Sequence, residues 1–139
     1  MAHWLMKSEP GTYSWDDQLK RGAKGEPWSG VRNHQAKANL MKMKKGERAF
    51  FYHSGEGKEI VGIVEIIREH YPDPGDKTGK FVMVDVKAIE PLKKPVTLAE
   101  AKAEKGLKDM VLVNNTRLSV QPVADGEWKL VCKMGGVKA

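Results

Sequence analysis

The fold turns on Arg48-Ala49-Phe50-Phe51-Tyr52-His53, followed by Ser54-Gly55-Glu56-Gly57-Lys58 and then Ile60-Val61-Gly62-Ile63-Val64-Glu65-Ile66-Ile67. Two runs rich in aromatic and β-branched residues flank a short loop carrying glycine, which predicts two strands paired as a hairpin. A third long strand is predicted from Phe81 to Ile89, after the turn-rich Tyr71-Pro72-Asp73-Pro74-Gly75, with Pro91 and Pro95 ending it. Strands that follow one another without regular intervening helices argue against a parallel βαβ sheet. They favour an α+β fold, a small mixed barrel with peripheral helices.

Working outward, His3 to Lys7 reads as a first strand that stops at Ser8-Glu9-Pro10-Gly11. Ser14 and Asp17 form a capping-box pattern for a short helix, with Trp15 and Leu19 on one face and Gly22 closing it. Trp28 then falls in the turn segment Gly25-Glu26-Pro27-Trp28-Ser29-Gly30. A helix is predicted from His34 to Lys45, capped by Asn33 and ended by Gly46, burying Ala36, Leu40 and Met43. Thr97 and Glu100 cap another helix running to about Lys105, and Leu107 to Leu112 adds a further turn. Arg117 to Val120 is a short β segment leading into Gln121-Pro122-Val123. A last helix spans roughly Asp125 to Lys133, with Trp128, Val131 and Cys132 available for packing.

The chain has 139 residues, which favours one domain over residues 1–139 with a single core. Lysine and arginine number 24 against 18 acidic residues, a net charge of +6 that suits a polyanionic partner. One cysteine, Cys132, excludes an internal disulfide framework and fits a reducing compartment, so a cytoplasmic address is expected. The longest apolar run, Ile60 to Ile67, is broken by Gly62 and Glu65 and is far short of the roughly 18 residues that span a bilayer; no membrane association is expected. The start, Met1-Ala2-His3-Trp4-Leu5-Met6-Lys7, lacks the basic leader and apolar stretch of a signal peptide.

His3, His34, His53 and His70 have no metal-ligand spacing, so neither a metal nor a cofactor is expected. The glycine-flanked serine of hydrolases, the phosphate-loop lysine and the dinucleotide glycine fingerprint are all missing. What stands out is aromatic residues at element ends: Trp15, Trp28, Tyr52 and Tyr71, whereas Trp4, Phe50 and Phe81 read as core. Trp28 sits in a turn near the surface, where a ring can wall a pocket instead of filling the interior. Lys7, Ser8, Asn33, His53, Ser54, Ser119 and Gln121 lie near strand ends and supply polar groups for a base edge. Arg32, Lys37, Lys42, Lys44, Lys45 and Arg48 together form a basic set able to follow a phosphate backbone.

Six separated blocks carry a resemblance: Trp4-Leu5-Met6-Lys7-Ser8-Glu9-Pro10, Tyr13-Ser14-Trp15, Trp28-Ser29-Gly30-Val31-Arg32-Asn33, Phe51-Tyr52-His53-Ser54, Ile60-Val61-Gly62-Ile63-Val64-Glu65 and Leu118-Ser119-Val120-Gln121-Pro122-Val123. In this order, and over nearly the whole chain, they resemble the EVE domain family, whose small bacterial members are similar in length. The resemblance implies a PUA-like fold, a curved barrel-like sheet flanked by short helices. It also implies a non-catalytic role, because EVE domains are associated with modified cytosine in DNA and the related YTH domains hold a methylated adenine in an aromatic cage. By position, Lys7-Ser8 and Trp28-Ser29 resemble the YTH strand-end lysine-serine and the first cage tryptophan with its following residue. The pocket set so implied is Lys7, Ser8, Trp15, Trp28, Ser29, Asn33, Tyr52, His53, Ser54, Ser119 and Gln121. Two departures are visible. The stretch from Tyr71 to Lys80 offers only Tyr71 as a second cage wall, and Ala124-Asp125-Gly126-Glu127 replaces a proline-containing start of the last helix.

The leading expectation is therefore a module that takes an extruded 5-methyl- or 5-hydroxymethylcytosine in DNA into an aromatic pocket, with a nuclease or restriction-system protein as a conceivable partner. One alternative moves the target to a methylated base in RNA. A third reading is a small hydrolase of modified nucleosides using Lys7 and Glu9, as ASCH-type relatives pair a lysine with a carboxylate.

Overall fold

A computed structural model describes residues 2–115 and 117–139. Its centre is a six-stranded sheet in the order β2-β5-β4-β3-β1-β6, built from β1 (His3–Ser8), β2 (Glu26–Pro27), β3 (Arg48–His53), β4 (Glu59–Pro72), β5 (Val82–Thr97) and β6 (Val120–Val123). The sheet is mixed: β1 runs parallel to β3, while every other neighbouring pair is antiparallel. The hairpin read from the sequence is β3–β4. The helices are α1 (Trp15–Lys20), α2 (His34–Lys42), α3 (Leu98–Ala103), α4 (Val111–Asn114) and α5 (Asp125–Met134). This is the α+β, PUA-like arrangement expected. Among the described residues no helix is long and apolar enough to cross a membrane.

Strand alternation divides the core between the two faces of the sheet. Trp4, Met6, Phe51, Val64, Ile66, Val84 and Val86 meet Trp15 of α1 and Ala36, Leu40 and Met43 of the α2 region on one face. Leu5, Phe50, Tyr52, Ile60 and Ile63 meet Ala101, Leu112, Trp128, Val131 and Cys132 on the other. Helix α2 packs against β4, β5 and β6 at once. Strands β5 and β6 are separated in the sheet by β4, β3 and β1, so a single helix touches both only because the sheet curls around it.

The ends of several elements depart from the sequence reading. Strand β4 continues to Pro72 instead of Ile67, because beyond Ile67 its mostly exposed residues stay paired with β5, Arg68 facing Asp85 and Tyr71 facing Met83. With Arg68, Glu69 and His70 facing water, the apolar alternation that marks a half-buried strand disappears from β4. Strand β5 runs through both Pro91 and Pro95 to Thr97. There β5 has lost its short neighbour β2, and the register with β4 shifts between Ile60 and Gly62. Prolines at an edge or bulge need no ladder N–H.

Helix α2 stops at Lys42 because Glu47 accepts the Lys44 N–H at 2.8 Å and turns the chain early. Helix α3 ends at Ala103, before a 3-10 turn at Lys105–Leu107. Leu19 is exposed, and Gln18 is the residue buried beside Trp15 on α1. The last helix begins without a capping side chain at Ala124; instead the Glu127 carboxylate accepts the Ala124 N–H at 3.0 Å.

Candidate functional site

Strand β1 ends at Lys7-Ser8 and its parallel neighbour β3 ends at His53, with Lys7 opposite Tyr52 and Ser8 opposite His53. The Ser54 N–H donates to the Ser8 carbonyl at 2.9 Å, holding the two strand ends together. The Trp28 segment reaches the same region from the other edge. Glu26 and Pro27 pair with Val86 and Asp85 of β5, and the Trp28 N–H donates to the Val84 carbonyl at 2.7 Å. Gly25 permits this approach. Its φ is +68°, and a Cβ there would lie 2.4 Å from the Val86 carbonyl oxygen.

Between these elements opens a hollow of about 390 Å³, within the range of about 300–1,000 Å³ that takes small ligands. Lys7 and Ser8 border it from β1, Tyr13 from the turn before α1, and Trp28 and Ser29 from the segment after β2; Arg21 and Glu26 complete its charged rim. Trp28 is only 7% exposed, so its indole is a fixed wall. Its two aromatic contacts, Phe51 at 5.4 Å and Tyr13 at 6.2 Å between centroids, are both perpendicular, at 86° and 84°. Among the described residues no aromatic ring is stacked parallel on it.

The polar groups of the hollow are partly committed. Ser8 donates its hydroxyl to the Tyr13 carbonyl and keeps its lone pairs. Arg21 pairs with Glu26 at 3.3 Å. The Tyr13 hydroxyl is buried without a hydrogen bond of good geometry. Burial and the Glu26 carboxylate push its pKa up to about 12, with Arg21 drawing it back only in part. It therefore stays a protonated donor near neutral pH.

Of the residues expected in one pocket, the structure brings together Lys7, Ser8, Trp28 and Ser29. Trp15 does not border the hollow: its ring is pressed into the space above Gly62, where a Cβ would come within 2.5 Å of it, and packs on Phe51 at 5.4 Å. His53 lies behind it, accepting the Trp15 N–H on Nε2 at 3.0 Å; burial lowers its pKa, so the ring is neutral. Asn33 is the cap of α2, accepting the Ala36 N–H at 2.9 Å. Ser119 offers its carbonyl to the Lys7 N–H at 2.9 Å. Gln121 is fully buried with Leu5 opposite it, and donates to the Leu118 carbonyl at 2.8 Å. Tyr52 and Ser54 face a second hollow on the opposite side of the sheet.

Sequence reasoning missed Arg21 and Glu26, whose charges read as ordinary surface, and left Tyr13 without a role although it lay in a recognised block. Tyr71, the second cage wall considered, carries the Arg68 guanidinium 3.6 Å above its ring and donates its hydroxyl to Asp85. The second aromatic that borders the hollow with Trp28 is Tyr13. Glu9, paired with Lys7 in the hydrolase reading, lies past the end of β1, exposed and outside the residues that line the hollow.

The basic set also divides. Arg32 is bound to Asp73 at 3.0 Å, and Lys37 lies 6.0 Å from the Phe81 ring. Lys44 and Arg48 flank Glu47, which holds Ala2 and Trp4 at the start of β1. That end is about 17 Å from Ser8 along a six-residue strand.

A curled mixed sheet with short helices and an open aromatic hollow at its strand ends defines an α+β protein of PUA-like architecture. The chain belongs to the EVE domain family, which it matches over residues 2–134. It is 37% identical to human Thymocyte nuclear protein 1 over 170 residues, covering 96% of this chain and 73% of that protein. The NMR structure of Rpa0253 from Rhodopseudomonas palustris is 65% identical with a TM-score of 0.93, covering 98% of this chain and 94% of the other. The crystal structure of human THYN1 protein in complex with DNA containing 5-methylcytosine is 35% identical with a TM-score of 0.90, covering 100% of both chains. The YTH domain of Zygosaccharomyces rouxii MRB1 is more distant, at 16% identity and a TM-score of 0.58, over 99% of this chain and 88% of that one, and shares the fold.

Proposed function

We propose that this chain is a non-catalytic nucleic-acid-binding module that receives one extruded modified base, 5-methyl- or 5-hydroxymethylcytosine in DNA, against Trp28. The observation that carries the reading is the fixed indole at the wall of an open hollow, with only perpendicular aromatic neighbours. A parallel base fits that geometry. Stacking on such a ring is worth about 1–3 kcal/mol, comparable with the few kcal/mol needed to take a base out of a duplex. The human relative bound to DNA containing 5-methylcytosine supports the choice of cytosine.

A cytosine offers an amine donor and ring and carbonyl acceptors. In the hollow, the Glu26 carboxylate and the Ser8 oxygen are acceptors, and the Tyr13 hydroxyl is a donor. No proton need be transferred. The methyl group adds only apolar contact, so selectivity over plain cytosine amounts to about 10–200-fold. Titration with matched modified and unmodified oligonucleotides tests the reading. A preference in that range, abolished in Trp28→Ala, is expected. Equal affinity for both, or a variant that retains the preference, would overturn it.

A further inference from the structure

On the opposite side of the joined strand ends lies the second hollow, of about 370 Å³. Lys7, Lys58 and Lys102 border it together with Ser54 and the backbone of Gly55, and the Tyr52 ring supports Lys7, whose ammonium lies 5.5 Å from the ring centroid. Among the described residues that line it there is no aspartate or glutamate. Three lysine side chains bordering one concave surface offer an anion several cationic donors at once. Burial alone lowers the Lys7 pKa from the ordinary lysine value, and an anion beside it favours the charged form.

Two further observations join this hollow to the first. Lys7 borders both. Ser8 on the rim of one and Ser54 on the rim of the other are connected by the 2.9 Å bond from the Ser54 N–H to the Ser8 carbonyl. Lys58 is also the one non-glycine residue with positive φ among the described residues, at +43°, a conformation that side chains avoid unless the surroundings impose it. The Lys58 carbonyl accepts the Leu98 N–H at 2.8 Å, which fixes the loop against the start of α3 beside the hollow. By contrast, Lys42, Lys44, Lys45 and Arg48 gather toward the other end of β1 and β3.

We propose that the Lys7–Lys58–Lys102 hollow is a phosphodiester site, which holds the backbone of the nucleic-acid strand whose base enters the Trp28 hollow. The strand crosses the ends of β1 and β3 at Lys7. The assignment rests on the base-reading proposal for its ligand, but it concerns a different measurable term. Base stacking sets the preference for the modified base, whereas phosphate contacts set the salt dependence and act on all sequences alike.

The test is a salt titration of binding to a short oligonucleotide, modified and unmodified, with wild type, Lys58→Gln/Lys102→Gln and Lys42→Gln/Lys45→Gln. For duplex DNA the first double variant is expected to reduce the slope of log K against log salt by about 1.8, near 0.9 per phosphate lost. Affinity at low salt should fall roughly tenfold per lysine, equally for both oligonucleotides. The second double variant should leave the slope as in wild type. An unchanged slope in Lys58→Gln/Lys102→Gln, with a loss in Lys42→Gln/Lys45→Gln, would overturn the proposal even if Trp28→Ala abolishes the preference for the modified base. Conversely, a reduced slope with no preference in wild type would support the phosphate site and sink the base-reading proposal alone.

Discussion

The Gly30 N–H donates to the Asp73 carboxylate at 2.9 Å, and this bond ties the Trp28 segment to the loop between β4 and β5. Asp73 is almost fully buried and also accepts from the Gly75 N–H at 2.8 Å and from Arg32 at 3.0 Å. Burial pushes its pKa up, but the Gly30, Arg32 and Gly75 donors more than offset that and hold it below the ordinary aspartate value. The wall of the hollow is therefore positioned by a carboxylate that does not border it.

Asp73→Ala leaves three donors without their acceptor and is expected to cost about 1–3 kcal/mol of stability, read by denaturant unfolding. It should also weaken oligonucleotide binding, because the Trp28 segment loses its anchor. Wild-type stability in this variant would contradict the role assigned to the carboxylate.

Gly62→Ala places a methyl carbon 2.5 Å from the Trp15 ring, which is backed by Phe51 and has nowhere to retreat. Overpacking of this kind costs about 1–3 kcal/mol. A thermal melt should show a clear loss of stability, and near-UV circular dichroism should report the displaced indole.

His53 is held neutral by burial and by accepting the Trp15 N–H. Its folded pKa is below that of the unfolded chain, near 6.5. The unfolded state therefore binds more protons as pH falls through that value. Stability is full above it and declines as pH drops toward the folded pKa. Unfolding midpoints measured from pH 7.5 to 5.5 should fall in wild type, and the fall should be smaller in His53→Gln; identical slopes would refute this linkage.

Tyr13→Phe removes a buried hydroxyl that lacks a well-formed bond, so stability should stay level or rise slightly. If that hydroxyl donates to the base, oligonucleotide affinity should drop about five- to tenfold in the same variant, the loss of one hydrogen bond. A stability loss with unchanged binding would place Tyr13 in the packing alone.

The strands of the inner sheet were legible because Phe50 and Phe51, like Ile63 and Val64, alternate between two covered faces. Asn33, Ser14 and Thr97 declared helix starts, since their side chains do local work that needs no tertiary context. The outer parts of β4 and β5 were not legible: Arg68, Glu69 and His70 face water, and Pro91 and Pro95 sit where the ladder does not need a backbone N–H. At the candidate site, Trp28 could be read from its place in a turn. The separation of Tyr52 and Ser54 from it could not, because their positions depend on which face each strand end presents. Arg21 and Glu26 carry no pattern of their own, and only the pairing of β2 with β5 brings them to the rim.

The most direct measurement is a crystal structure of this protein with a short oligonucleotide containing 5-methylcytosine. The account predicts the methylated ring out of its stack, parallel to the Trp28 indole and bordered by Tyr13 and Ser8. A methylcytosine still paired in the duplex, or bound away from Trp28 while the hollow stays without a base, would contradict it.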